Sequence, residues 1–140
     1  MSKKSAKIAA LIERHRGQEL SPYYLGYFEL FNAQLFYESH DVLEELWLPI
    51  RRDEGGDFYK GLIQLAGAFV HLQKNRLRPS AALFKLARTN LEKYPRRHEH
   101  LDLIEVQNLI SEWLGRLEET DFSENPLTGL NAPRLSLSGK

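Results

Sequence analysis

His40 and Glu44 stand four residues apart in the run Phe31 to Trp47, FNAQLFYESHDVLEELW. In a helix that spacing makes an imidazole and a carboxylate neighbours on one face, with Trp47 next along it. Glu38, Asp41 and Glu45 add carboxylates beside that face. Further on, Gln64 and His71 are seven apart, two helical turns on one face, with Gly67 and Ala68 between them. Residues of these types support two chemistries. His40, His71 and Glu44 are the types that ligate zinc, iron or manganese, and helical bundles build such sites from inward side chains of facing helices. The same trio could serve acid–base catalysis, with Glu38 and Gln64 as support. The competing reading is structural. His40 pairs with Glu44 or Gln64, His71 donates to a backbone carbonyl, and the network sets helix register.

The spacing argues against a familiar metal motif. Di-iron bundles place His three residues after Glu, whereas Glu38 and His40 are two apart, on nearly opposite helix faces. No H-E-x-x-H, Ser–His–Asp, P-loop or dinucleotide-binding glycine pattern is present. The chain has no cysteine, which excludes thiolate nucleophiles, zinc–thiolate sites and disulfides. Nineteen basic and 19 acidic residues cancel to zero formal charge, which argues against a main role in gripping nucleic acid or an anionic membrane. The basic stretch Lys85, Arg88, Lys93, Arg96 and Arg97 has few aromatics interleaved, only Phe84 and Tyr94. No segment has the length and apolarity of a signal peptide or membrane span, so a cytoplasmic protein is expected.

The elements that would position these residues are helices. The 140 residues are 42% hydrophobic and 11% aromatic, enough for one domain with a sizeable core. Ser5 to Arg16 is amphipathic and stops at Gly17. Ser21-Pro22 is an N-cap followed by proline at the first helical position. Asn32-Ala33-Gln34 is read as a tight turn, so that the Pro22 helix and a helix from Leu35 to Leu48 form an antiparallel hairpin. Leu35, Ser39, Val42, Leu43, Leu46 and Ile50 form the inward stripe of the second. Residues 51–57 are a polar loop ending at Asp57, the expected N-cap of a helix over Phe58 to Lys74 that is apolar on nearly all sides and therefore central. A turn over Asn75 to Ser80 precedes a helix from Ala81 to Tyr94, with Leu83, Leu86, Ala87 and Leu91 inward and Ala82 beside them. Residues 95–100 are a charged break, with His98 and His100 as exposed loop residues. Asp102 to Glu105 has the form of a capping box, opening a last helix to about Glu119 with Ile104 among its packing residues. No strand is expected. Tyr23, Tyr24 and Tyr27 are expected at the rim of the core.

Two stretches together, FNAQLFYESHDVLEELW and FYKGLIQLAGAFVHLQKNRLRPSAALFKLA, resemble the family catalogued as domain of unknown function 309. The residues carrying the resemblance are Phe31, Asn32, Phe36 or Tyr37, Glu38, His40, Asp41, Leu43, Glu44 and Trp47. They are followed by Gly61 to Ala66, Ala68 and His71. Gln34 stands where the family usually has glycine, and Ser39 where alanine is common. The resemblance implies an all-α bundle and assigns no activity.

The sequence therefore predicts an all-α, single-domain bundle of five or six helices in antiparallel hairpins over residues 1–120, with an irregular tail over 121–140. Its candidate site is Glu38, His40, Asp41, Glu44, Trp47, Gln64 and His71. The functional expectation is a binding module for a protein partner or small ligand; the sequence itself requires no cofactor and leaves a divalent metal possible. The alternative is a small metal-dependent or acid–base enzyme that uses His40, Glu44 and His71. The acidic ridge Glu38, Asp41 and Glu45 is either a solvated face or a docking surface for a basic partner or a second subunit.

Overall fold

The computed structural model describes residues 6–138. Six α-helices follow in order: α1 (Ala6–His15), α2 (Pro22–Asn32), α3 (Phe36–Trp47), α4 (Gly56–Gln73), α5 (Leu77–Leu91) and α6 (Leu103–Glu119). A short 3₁₀ turn, Leu48–Ile50, extends α3. The all-α bundle read from the sequence is the observed fold. The expected helix start at Ser5 lies outside the described residues.

Each helix end has a local cause. Ser21 caps α2 by accepting the Tyr23 N–H at 3.1 Å, ahead of Pro22. The expected turn after Asn32 is made, and its pivot is Gln34, at φ 64°. That is the left-handed conformation that glycine enters without steric cost. Asp102 caps α6 through its Oδ1, which accepts from the Ile104 N–H at 3.0 Å and the Glu105 N–H at 3.4 Å.

Several boundaries differ from expectation. α4 begins at Gly56 with Gly55 as its cap, so Asp57 is not the N-cap; it lies in the first turn, paired with Lys93 Nζ at 2.6 Å. α5 begins at Leu77, four residues earlier than expected, and takes in Pro79. The first turn of a helix has no acceptors for its N–H groups, so proline loses nothing there. Residues 95–102 are not a plain loop. Arg97–His98 and Leu101–Asp102 pair as a minimal antiparallel ribbon, β1 and β2, around Glu99 (φ 49°) and His100 (φ 64°). The sequence has none of the Asn-Gly signals that announce such a turn. Contacts from elsewhere hold it: Tyr24 Oη donates to the Glu99 carbonyl at 2.8 Å, and the Ser138 N–H to the His100 carbonyl at 2.8 Å.

The apolar α4 is central, as its pattern requires. Near its C-terminal half, Phe69 meets rings from four helices: Phe31 of α2, Phe36 of α3, Phe84 of α5 and Trp113 of α6, at centroid distances of 5.7, 5.0, 5.2 and 5.1 Å. The start of α3 thus lies beside the end of α4, and the two run antiparallel. α4 and α5 are also antiparallel, and small residues set their approach. A Cβ on Gly61 would lie 2.8 Å from Leu91 Cγ and Cδ2. Tyr24 and Tyr27 are fully buried rather than at the rim; Tyr27 Oη donates to the Leu62 carbonyl at 2.6 Å. Leu86, Ala82 and Ile104, expected inward, are exposed. His98, expected in an exposed loop, is half-buried, 4.6 Å from the Phe58 ring and 4.8 Å from Tyr94.

After α6 the chain runs without regular structure, but it packs on the bundle. Leu135 is 4% exposed, and Phe122 and Leu127 pack against the core. Asn32 holds Leu135 by both backbone groups. Its Nδ2 donates to the Leu135 carbonyl at 2.8 Å, and its Oδ1 accepts the Leu135 N–H at 2.7 Å.

Candidate functional site

α3, α4 and α5 enclose an open cavity of about 260 Å³. α3 contributes Tyr37 and His40; α4 contributes Ile63, Gln64, Gly67, Val70 and His71, and its C-cap residue Lys74 follows; α5 contributes Leu83. The periodicities explain the grouping. Gln64, Gly67 and His71 repeat at three and four residues, so they share a face of α4. Gly67 has no side chain to fill the space, and a Cβ there would come within 3.1 Å of Leu83 Cδ1.

Three of the seven candidate residues, His40, Gln64 and His71, line this cavity. The other four do not. Glu44 approaches His40 Nε2 at 3.8 Å, an ion-pair distance and too long for a hydrogen bond. Glu38 and Asp41 are half-buried on α3, and Asp41 and Glu45 interact within the fold. Trp47 packs against the core with its Nε1 buried and unpaired. Among the described residues no three His, Asp or Glu side chains are gathered as a metal-binding group.

The hydrogen bonding also departs from the expected closed network. Gln64 does not reach His40; its Oε1 accepts from Asn90 Nδ2 at 2.8 Å. Asn90 Oδ1 in turn accepts from Lys93 Nζ at 3.2 Å, so this chain of bonds runs along α4 and α5, ending at Asp57. With its oxygen already accepting one bond, Gln64 still has both N–H donors to offer the cavity. His40 Nδ1 and His71 Nδ1 are both buried without a hydrogen-bond partner among the described residues. His40 stacks on Tyr37, ring centroids 5.9 Å apart. His71 is held below the ordinary imidazole pKa by burial first, then by the charges of Arg76 and Lys74. It is therefore neutral near pH 7, with one ring nitrogen a donor and the other an acceptor.

Sequence reasoning missed Lys74, Tyr37 and Leu83 as parts of the site. Tyr37 and Lys74 are three residues from His40 and His71 on their own helices, a spacing that could have found them. The basic stretch is partly tied down. Lys93 bonds Asp57, Arg96 lies 3.5 Å from Asp102, and Arg97 Nη1 donates to Ser138 Oγ at 2.6 Å.

The cavity's residues fall between positions 37 and 83. Residues 24–83 match the family model described as Domain of unknown function (DUF309). The resemblance read from the two motifs is therefore borne out, and the whole cavity lies inside the DUF309 match. A relative from Aquifex aeolicus (strain VF5), described as an uncharacterized protein, is 28% identical over 88 residues. That alignment covers 63% of this chain, and the chain spans 26% of the relative's length. No solved structure matches. Among the described residues no helix is long and apolar enough to cross a membrane.

Proposed function

We propose that the protein binds a small molecule in the cavity between α3, α4 and α5. The observation that carries this reading is a pair of imidazoles lining one cavity, each with a buried Nδ1 that none of the described residues satisfies. An unsatisfied buried polar atom costs about 1–3 kcal/mol, and a purely structural network would have closed around it. Apolar walls from Ile63, Val70 and Leu83, with a few convergent polar groups, have the composition of ligand sites. The volume is slightly below the roughly 300–1,000 Å³ usual for drug-sized ligands, so the ligand is small.

The test is a screen of small amphipathic compounds by thermal shift, run on the parent chain and on Gly67→Leu, which places a side chain in the cavity. A ligand at ten times its Kd should stabilise the parent by about 1.4 kcal/mol and leave the variant unshifted. Equal shifts in both proteins would place the binding elsewhere. A second reading, acid–base catalysis, is supported by His71 being neutral near pH 7 and so able to accept a proton. Conversion of a bound compound by the parent, lost in His71→Gln, would favour it. Near-stoichiometric zinc, manganese or iron in the parent, lost in both His40→Ala and His71→Ala, would favour a metal enzyme instead.

A further inference from the structure

We infer that the ligand is an amphipathic monoanion, a small carboxylate whose charged end sits at the His71–Lys74 end of the cavity and whose apolar body lies along Ile63 and Leu83. This rests on the reading of the cavity as a binding site. The cavity is electrically one-sided. Lys74 carries a formal charge, and no carboxylate is among the lining residues. Among the described residues Lys74 has no carboxylate within ion-pair distance. Arg76 stands close enough to add to the positive field felt by His71, and that field opposes a proton on the imidazole while attracting an anion beside it.

Two features of α4 sharpen the polarity. The C-terminal end of a helix ordinarily presents unpaired carbonyls and a partial negative charge. Here they are taken up. The Arg76 N–H donates to the His71 carbonyl at 2.8 Å, the Asn75 N–H to Leu72 at 3.0 Å, and Asn75 sits at φ 58°. Asn125 Nδ2, from the C-terminal segment, donates to the same Leu72 carbonyl at 2.6 Å. The negative end of α4 is thus covered where the anion would approach. Glu44, outside the lining but 3.8 Å from His40 Nε2, disfavours an anion beside His40 and so favours the Lys74 side. Neutral His71 offers one N–H donor, and Gln64 offers amide N–H donors, both suited to carboxylate oxygens. A dianion would meet one lining cation, which is why a monoanion fits better.

The experiment is calorimetric titration of the full chain with octanoate, octanamide and octylamine, which share one apolar body. Octanoate is expected to bind about fivefold or more tightly than octanamide, with octylamine weakest. In Lys74→Met the octanoate advantage should shrink severalfold while octanamide affinity stays within twofold. Arg76→Gln, which leaves the lining intact, should act in the same direction more weakly. Octanamide or octylamine binding as tightly as octanoate would overturn the anion preference and leave the cavity reading standing. Binding of all three at equal strength by Gly67→Leu, or of none by the parent, would remove the cavity reading itself and the anion inference with it.

Discussion

Replacing His71 with leucine is expected to stabilise the unliganded protein. His71 Nδ1 is buried and unpaired, so the substitution removes a polar atom whose burial nothing offsets. Such an atom costs about 1–3 kcal/mol, and because His71 as a whole is only half-buried the lower bound of about 1 kcal/mol is used. Leucine is also the better helix former, by about 0.4 kcal/mol in mid-helix. Its side chain joins Ile63, Val70 and Leu83 in the cavity wall. The net gain is about 1.4 kcal/mol, or a rise in Tm of about 4–7 °C for a chain of this size. Circular-dichroism melts of parent and variant at pH 7.5 read it directly, and the variant should lose octanoate binding in the same preparation. A fall in Tm of 3 °C or more would refute the reasoning, because it would mean that the imidazole makes a stabilising bond and that the seam is structural. A gain in stability with loss of binding is the signature of a site held ready at the expense of the fold.

Acid should weaken the parent through the same residue. The folded pKa of His71 lies below the ordinary value of about 6.5 because burial and the charges of Arg76 and Lys74 oppose its proton. As pH falls below about 6.5 the unfolded chain takes up a proton that the folded chain refuses; stability then declines until the folded pKa is passed, while above pH 7.5 His71 contributes no slope. Melts from pH 8 to 5 should show that decline in the parent, and less of it in His71→Leu. Gly61→Ala should destabilise by about 1–3 kcal/mol in urea unfolding despite alanine's better helix propensity, since its Cβ would lie 2.8 Å from Leu91; an unchanged midpoint would mean that α4 and α5 separate at little cost. Asn32→Ala removes both bonds to Leu135, at about 1–3 kcal/mol, and should speed limited proteolysis within 121–138 while α6 stays protected. Equal cleavage rates would show that burial of Leu135 alone holds the segment.

Much of the helical framework was legible because its causes are local. Ser21-Pro22 and Asp102 act within three residues of themselves, and the periodicity of α4 already required burial on all sides. The pairing of motifs that led to the DUF309 resemblance is also a property of the linear chain. What escaped depended on distant partners. Glu99 and His100 turn with positive φ because Tyr24 and Ser138 hold their carbonyls, and those contacts span 75 and 38 residues. Asp57 left the capping role to bond Lys93, a choice visible only once α5 lies beside α4.

The candidate site divides along the same line. Spacing alone put His40 and Glu44 on one face of α3, and Gln64 and His71 on one face of α4, because a helix has a fixed period. Whether those two faces meet, and what fills the space between them, depends on how α3, α4 and α5 pack. Packing brought His40, Gln64 and His71 to one cavity, turned Gln64 toward Asn90, left two imidazole nitrogens without partners and added Lys74 to the wall. The types and registers of these side chains follow from the order of residues. The open space, and the one-sided charge around it, arise where three helices meet and only the tertiary structure decides them.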